Sequence, residues 1–437
     1  MERSIYSQLI NWKNSPDHKP LMLLGARQVG KTYILKEFGR NEFTNMVYIN
    51  CHTDHFAANL FEDFNIQRII YQIGIHTHQQ IIPDETLLFF DEMQEVPQGI
   101  PSLKYFCEDL RPLHVAVAGS LLGISIRPDE SFPVGKVNIL NMFPMTFSEF
   151  LIAAGEQRLW ESMQQLDYST MNLFESRCKE MLRQYYFTGG MPEAVSKWVE
   201  THDPYAVRSI HREILTTYDK DFSKHTRTML QRIRMVWHSI PAQLAKENKK
   251  YIFGILKKRA RAAQFEEAIQ WLIDAGLIIR VNKCLNPVKP LKFYQDSSAF
   301  KVFLLDCGLL AALSETEPHD MLLGDNAFKE FKGAFTENYI IQQLTAIDNL
   351  STFYSSKDNS TQEVDFLVQT PSRVIPTEAK AEDNVKAKSL SAFIKTDHPE
   401  LHLRGLRCSM RPHIDQGWME NIPLWAVEAF FRHEANI

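Results

Sequence analysis

Between residues 20 and 150 the chain alternates short, wholly apolar runs with segments of helical periodicity. The runs are Leu21-Met22-Leu23-Leu24, Met46-Val47-Tyr48-Ile49, Leu87-Leu88-Phe89-Phe90 and Val115-Ala116-Val117-Ala118. A run that is apolar on both faces and stops at a glycine or polar residue reads as a strand buried between two helical layers. Strands alternating with helices predict βαβ units and a parallel sheet.

From 147 to 222 the pattern turns helical, opening at Phe147-Ser148-Glu149-Phe150-Leu151. It breaks once, at Tyr185-Tyr186-Phe187-Thr188-Gly189-Gly190-Met191-Pro192, where paired glycines before a proline predict a turn between helices. Residues 223 to 312 are helical again and then change. Phe265 to Ala275 predicts a helix stopped by Gly276, and Leu277-Ile278-Ile279-Arg280-Val281 a strand. A proline-containing hairpin then leads to Leu291-Lys292-Phe293-Tyr294. Helices ending in a β-hairpin describe a winged helix. The polar stretch Ser314 to His319 reads as a linker, Phe328 to Ile347 as a helix, and Glu363–Gln369 and Arg373–Ala379 as strands. Neither an internal repeat nor a low-complexity segment interrupts this order. At 437 residues the chain has room for about three domains.

Composition changes the picture only once it is resolved along the chain. A hydrophobic fraction of 44% and a charged fraction of 23% are those of globular protein and disfavour disorder, collagen and coiled coil. The net charge of -5 argues against a highly basic nucleic-acid coat protein. Residues 224 to 261 reverse that sign. They hold eleven basic residues (Lys224, Arg227, Arg232, Arg234, Lys246, Lys249, Lys250, Lys257, Lys258, Arg259 and Arg261) against Glu247 alone, leaving this segment at +10 and the remainder at -15. A basic segment on a predicted winged helix points to contact with the phosphate backbone of DNA. Ser239 to Ala245 reads as the first helix of a helix-turn-helix, and Ile255 to Ala263 as its recognition helix. The competing reading is a solvated face on a module that packs against protein.

The strongest chemical signal is Gly25-Ala26-Arg27-Gln28-Val29-Gly30-Lys31-Thr32, which fits the phosphate-binding loop pattern between a predicted strand and helix. Gly25 and Gly30 let the backbone wrap phosphates, and amides from Val29 to Thr32 can donate to them. Lys31 reaches toward the β- and γ-phosphates of ATP, and the Thr32 hydroxyl suits Mg²⁺. Leu87-Leu88-Phe89-Phe90-Asp91-Glu92 sets two carboxylates at the end of a buried strand, where open α/β sheets place their ligands. Asp91 would hold the metal through water and Glu92 would orient or polarise the attacking water; the alternative is that Asp91 caps the following loop. Ser120, ending the strand Val115–Ala118, either senses the γ-phosphate or serves as a turn residue.

At these residues the chain resembles the AAA-type ATPases, in the branch with a glutamate after the metal-binding aspartate. The loop together with Phe143-Pro144-Met145-Thr146-Phe147-Ser148-Glu149-Phe150 and Gly189-Gly190-Met191-Pro192-Glu193-Ala194-Val195 is similar to a large set of uncharacterised prokaryotic ATP-binding proteins with a C-terminal domain of unknown function. This resemblance covers nearly the whole chain. It implies an α/β multidomain fold: an ATPase core over 1–150, a helical lid over 151–222, a winged helix over 223–315 and a nuclease-like α/β domain over 316–437. Many relatives carry Gly-Arg where this chain has Gly135-Lys136, and lysine lacks the planar fork of an arginine finger. Arg111 and Arg127 are the alternative candidates for that role.

In the last segment Asp365 lies on an alternating strand, and Glu378 and Lys380, two apart, share a face of the next. Asp365 and Glu378 can share one Mg²⁺, with Lys380 near an attacking water. The D-(x12)-E-x-K arrangement resembles the PD-(D/E)XK restriction-endonuclease-like fold. In that resemblance Glu337, on the upstream helix, matches an additional helix carboxylate. A retained fold that no longer cleaves is the other reading.

Lesser features carry less. Cys51, His52, His55, His76 and His78 lie close in sequence, but one cysteine without a carboxylate pair makes a poor metal shell. Phe143, Phe147 and Phe150, like Trp271 and Leu272, read as packing. Six cysteines without a C-x-x-C pair suggest neither a disulfide framework nor a cysteine zinc site, in keeping with a reducing, cytoplasmic setting. No run approaches the roughly 18 apolar residues of a membrane span, and Met1 to Lys19 lacks the apolar core of a signal peptide. Three functions follow: an ATP-driven switch coupled to a DNA-facing module, an ATP-gated metal-dependent nuclease, or a signalling ATPase whose later domains bind only proteins. Either a monomer or a homo-oligomer is compatible with each.

Overall fold

The computed structural model describes residues 1–120, 132–223, 226–246, 250–323, 332–357, 362–381 and 387–437. It divides into two compact units, Glu2–Phe143 with Asp274–Gly276, and Pro144–Ile273 with Leu277–Ile437 and Met1.

In the first unit helix α1 (Ile5–Lys13) precedes strand β1 (Leu21–Gly25), helix α2 (Lys31–Glu42) and strand β2 (Asn45–Asn50). Strands β3 (Thr86–Asp91), β4 (His114–Ser120) and β5 (Asn138–Asn141) complete a sheet of order β2-β3-β4-β1-β5. Every pairing is parallel. The four expected apolar runs are its four central or long strands, and β1 and β3 are buried along their whole length. Successive side chains on a strand face opposite ways, so a strand apolar at every position feeds two layers. On one face Met22, Leu24, Val47, Ile49, Leu88, Phe90, Val115 and Val117 pack with Ile66, Ile69 and Ile73 of one helix and Leu103 and Phe106 of another. Trp12 of α1 meets Phe38 of α2, with ring centroids 6.3 Å apart.

The second unit opens with a capping box: Thr146 Oγ1 accepts from the Glu149 amide, and Glu149 Oε2 accepts from the Thr146 amide at 3.1 Å. That box starts the helix Phe147–Ala153 where the sequence predicts one. The paired glycines separate the helices Glu175–Thr188 and Pro192–Thr201, as expected. Met145 N donates to Gly190 O at 2.6 Å, and a Cβ at Gly190 would sit 2.0 Å from Met145 O. The two sequence motifs therefore touch backbone to backbone, and only glycine fits at the contact.

An eight-stranded sheet of order β12-β13-β11-β10-β9-β8-β6-β7 follows. Its strands are β6 (Ile278–Cys284), β7 (Gln295–Leu304), β8 (Ser351–Ser356), β9 (Glu363–Gln369), β10 (Val374–Ala379), β11 (Gly405–Ser409), β12 (Ile414–Asp415) and β13 (Met419–Pro423). The hairpin expected as a wing forms one edge of this sheet, with Lys283 of β6 in register with Tyr354 of β8. Its second strand is displaced from expectation. Leu291–Tyr294 is a 3-10 turn and the strand begins at Gln295, because Pro290 supplies no amide for a ladder and the apolar run Ala299–Leu304 is what the core buries. The helix Lys332–Thr345 is buried from Phe335 to Leu344, and Asn338 on it pairs both its amide groups with the Leu304 backbone. The stretch Ser314–His319, expected as a linker, begins as a turn in which Thr316 N donates to Ala311 O at 3.0 Å, and the helix Pro318–Leu323 already starts within it.

The recognition helix expected over Ile255–Ala263 does not form. Phe253–Ile255 is one 3-10 turn, the chain then bends through Arg259 at φ 65°, and the next helix starts at Ala262. Residues 256–261 offer no apolar stripe to bury, and three successive cations repel in any helical turn. The first predicted helix, Ser239–Ala245, is mostly the last turns of a longer helix, Arg227–Leu244.

Candidate functional site

The expected phosphate loop lies at the carboxyl end of β1 and opens α2. Gly30 caps that helix at φ 98°, a left-handed conformation that suits glycine, while a Cβ at Gly25 would meet Met142 O at 2.2 Å. Gln28, at φ 66°, and Arg27 stand at the loop's outer side, and Ala26 and Val29 are buried beneath it. Lys31 is 8% exposed and its Nζ donates to Gly25 O at 2.9 Å and Ala26 O at 2.8 Å. Burial pulls its ammonium down to about 8, against the opposing pull of Glu92 and Asp91.

Because β4 lies between β1 and β3, the ends of all three strands share one edge of the sheet. Gly25 is in register with Ser120, and Asp91 with Ala118. Thr32 Oγ1 donates to Asp91 Oδ1 at 3.2 Å, and the Tyr48 hydroxyl donates to Asp91 Oδ2 at 3.1 Å. A hydroxyl and a carboxylate oxygen converging on one spot are the hard-oxygen pair that Mg²⁺ takes, so these residues fit the ion. Glu92 follows at φ 53°, its amide donating to Ala118 O at 2.9 Å, and Gln94 Nε2 donates to its Oε2. The side chain of Ser120 and the whole of Arg127 lie outside the described residues.

Two residues here escaped sequence reasoning. Arg3 donates from its guanidinium to Val29 O at 2.9 Å and to Phe143 O at 2.6 Å, clamping the loop to the segment after β5. No motif marks it. Gln94, 5% exposed beside the end of β4, holds the Glu92 carboxylate; its only sequence signal is a polar residue two places after the acidic pair. Arg111, the finger candidate that lies within the described residues, stands away from this chain's own loop. It precedes β4, at the amino edge opposite the loop, and pairs with Asp17 at 3.2 Å. Lys136 pairs with Glu108 at 2.8 Å. Burial pushes the Cys51 thiol up to about 12, and His76 pairs with Asp54 at 2.8 Å. Among the described residues no group of three or more His, Cys, Asp or Glu side chains is arranged to hold a metal ion.

The second unit does bring its expected residues together. Lys380 Nζ lies 2.9 Å from Glu378 Oε1, and Asp365 Oδ2 accepts from the Ala379 amide at 2.8 Å. Burial works against the Lys380 ammonium, but Glu378, Asp365 and Glu337 hold it above its usual range. The unforeseen member is Lys301 of β7, fully buried, 3.5 Å from Glu337 Oε2 and ion-paired with Glu363. Burial likewise opposes its charge, and Glu337, Glu363 and Asp365 outweigh burial and raise its pKa. A lone lysine within Ala299-Phe300-Lys301-Val302-Phe303-Leu304 was the signal, since a buried charge demands partners.

Of the basic stretch, Arg234 is bound by Asp219 through two hydrogen bonds of 2.7 and 2.6 Å. Lys246, Lys250, Lys257, Lys258, Arg259 and Arg261 are exposed, whereas Lys224 and Lys249 lie outside the described residues. No helix among the described residues is long and apolar enough to cross a membrane.

Residues 17–151 match the AAA domain family. Residues 179–320 and 332–424 match two domains of unknown function, DUF8612 and DUF4143. No curated protein matches the chain significantly. Among solved structures, a Signal Transduction ATPase with Numerous Domains from Pyrococcus horikoshii, with a tetratricopeptide repeat sensor, is 13% identical at a TM-score of 0.29. That likeness covers 79% of this chain and 46% of the other, so the chain spans about half its length. Cdc6p from Pyrobaculum aerophilum is 13% identical at a TM-score of 0.25, covering 71% of this chain and 92% of that one. The loop, its all-parallel sheet and the family match over 17–151 together make the N-terminal unit an AAA-type P-loop ATPase domain.

Proposed function

We propose that the chain is a Mg²⁺-dependent ATPase whose nucleotide state controls a DNA-facing module in its second unit. The observation that carries the hydrolytic reading is the convergence of Lys31, Thr32, Asp91 and Glu92 at one edge of a single parallel sheet. Thr32 and Asp91 would hold Mg²⁺, which when bound neutralises charge on the β- and γ-phosphates. Amides of Val29 to Thr32 at the start of α2 cradle the phosphates, and Lys31 places its ammonium against them. Glu92 orients the attacking water and accepts its proton, and Gln94 sets the carboxylate's direction.

The exposed turn bearing Lys257, Lys258, Arg259 and Arg261 supports contact with phosphate backbones, made by a loop rather than by a helix in a groove. Two variants test the core of this reading. Lys31→Ala should lose ATP binding, whereas Glu92→Gln should bind ATP and turn it over about 100-fold more slowly. Tight ATP binding by the Lys31→Ala protein would sink the assignment. Stimulation of the ATPase rate by duplex DNA separates the DNA-facing switch from a signalling ATPase that binds only proteins.

A further inference from the structure

Of the carboxylates expected to share a divalent ion in the second unit, Glu337 and Glu378 already face lysines, and Asp365 faces a backbone amide. Lys301 projects from the buried end of β7 and is wholly removed from solvent. Its Nζ lies 3.5 Å from Glu337 Oε2, contacts the Glu363 carboxylate, and stands 5.0 Å from the centre of the Tyr354 ring and 5.9 Å from that of Phe366. Carboxylate on two sides and aromatic faces on two others leave the ammonium one position. Across the cluster Lys380 takes Glu378 Oε1 at 2.9 Å, and the backbone amide of Ala379 takes Asp365 Oδ2 at 2.8 Å.

A divalent ion binding here would have to displace these partners. Drawing Glu337 toward the ion would take a carboxylate from the fully buried Lys301 ammonium, and drawing Glu378 would take one from Lys380; weakening a buried pair in this way is costly.

We infer that Lys301 takes the place of a divalent cation in this cluster, so that Glu337, Glu363, Asp365, Glu378, Lys301 and Lys380 form a metal-free ion-pair network. The PD-(D/E)XK-like residues then brace the sheet and the helix Lys332–Thr345 and do not cut phosphodiesters.

Mn²⁺ binding to the full chain without nucleotide, followed by electron paramagnetic resonance, tests this. Wild type should take up no Mn²⁺ below about 1 mM that Asp365→Asn abolishes, and should not nick plasmid DNA in Mg²⁺ or Mn²⁺. Lys301→Gln, if it retains its thermal transition, should gain one Mn²⁺ site that Asp365→Asn removes. Mn²⁺ uptake or nicking by wild type that depends on Asp365 overturns the inference. So does a folded Lys301→Gln protein that binds no Mn²⁺. Should that variant fail to fold, the wild-type measurements decide.

Discussion

Thr32 donates its hydroxyl hydrogen to Asp91 across 3.2 Å, joining the phosphate loop to a strand 59 residues away in sequence. The same carboxylate accepts from Tyr48 at 3.1 Å, so Asp91 is held from two sides. A carboxylate fixed from two sides in this way is preorganised, which is what electrostatic stabilisation requires. Removing Thr32 or Asp91 should therefore cost turnover more than binding. Thr32→Ala should lower kcat about 100-fold, with ATP affinity measured in EDTA changed less than about threefold. Asp91→Asn should do the same and also shift Mg²⁺ activation to higher concentration, because its amide must face two donors. Titration of Mg²⁺ in a steady-state ATPase assay reads both effects.

Burial of Lys31 has a pH consequence of definite sign. Its ammonium sits near 8, well below the ordinary 10.5, so the nucleotide-free site loses the charge as pH rises through 8. Affinity for a non-hydrolysable ATP analogue should then fall by up to about tenfold per pH unit above 8. Lys31→Arg, which keeps its charge, should flatten that slope even if its affinity is lower. Stability moves the other way. Between 8 and 10.5 the unfolded chain holds the proton more tightly, so the nucleotide-free protein gains stability as pH rises. Analogue binding and urea midpoints measured from pH 7.5 to 9.5 check both signs.

The first sheet was legible because its strands are apolar on both faces, a pattern that few other local structures share. The loop was legible because phosphate binding needs small residues and one lysine at fixed intervals. What escaped depends on contacts distant in sequence. Arg3 reaches Phe143, 140 residues on, and nothing near either residue announces the other. Residues 295–304 hold a strand that periodicity did not single out, because Lys301 breaks an apolar run and its charge is answered by Glu337 and Glu363, which lie far along the chain. The recognition helix failed for the opposite reason. Charge suggested a function for residues 255–263, and charge alone supplies no buried face to hold a helix together.

The contact between the two motifs of the second unit predicts a steep contrast between glycines. Gly190→Ala would place a methyl 2.0 Å from the Met145 carbonyl oxygen, a backbone atom that cannot move aside. Destabilisation of about 3 kcal/mol is expected, with reduced soluble yield. Gly155, at φ 81°, faces open space, so Gly155→Ala carries backbone strain alone, about 1 kcal/mol. Urea denaturation followed by far-ultraviolet circular dichroism distinguishes the two. Equal midpoints would mean that the Met145–Gly190 pairing is not held in solution.

The turn through Lys257, Lys258 and Arg259 makes the DNA-facing proposal quantitative. All three side chains are exposed, and no ion pair to any of them is made among the described residues, so their charges are available to phosphate. Each phosphate neutralised contributes about 0.9 to the slope of log affinity against log salt. Replacing all three by glutamine should weaken duplex binding and reduce that slope by up to about 2.7. Arg259 stays at φ 65° in any variant, and glutamine tolerates that conformation about as well as arginine does, so the fold should be unchanged. The ATPase rate without DNA should be unchanged too, since these residues lie outside the P-loop unit. Fluorescence anisotropy of a labelled duplex between 50 and 300 mM salt, the range being about that in which counterion release dominates, reads the slope directly. An unaltered slope in the triple variant, or no binding by wild type, transfers the exposed basic turn from nucleic acid to a protein partner.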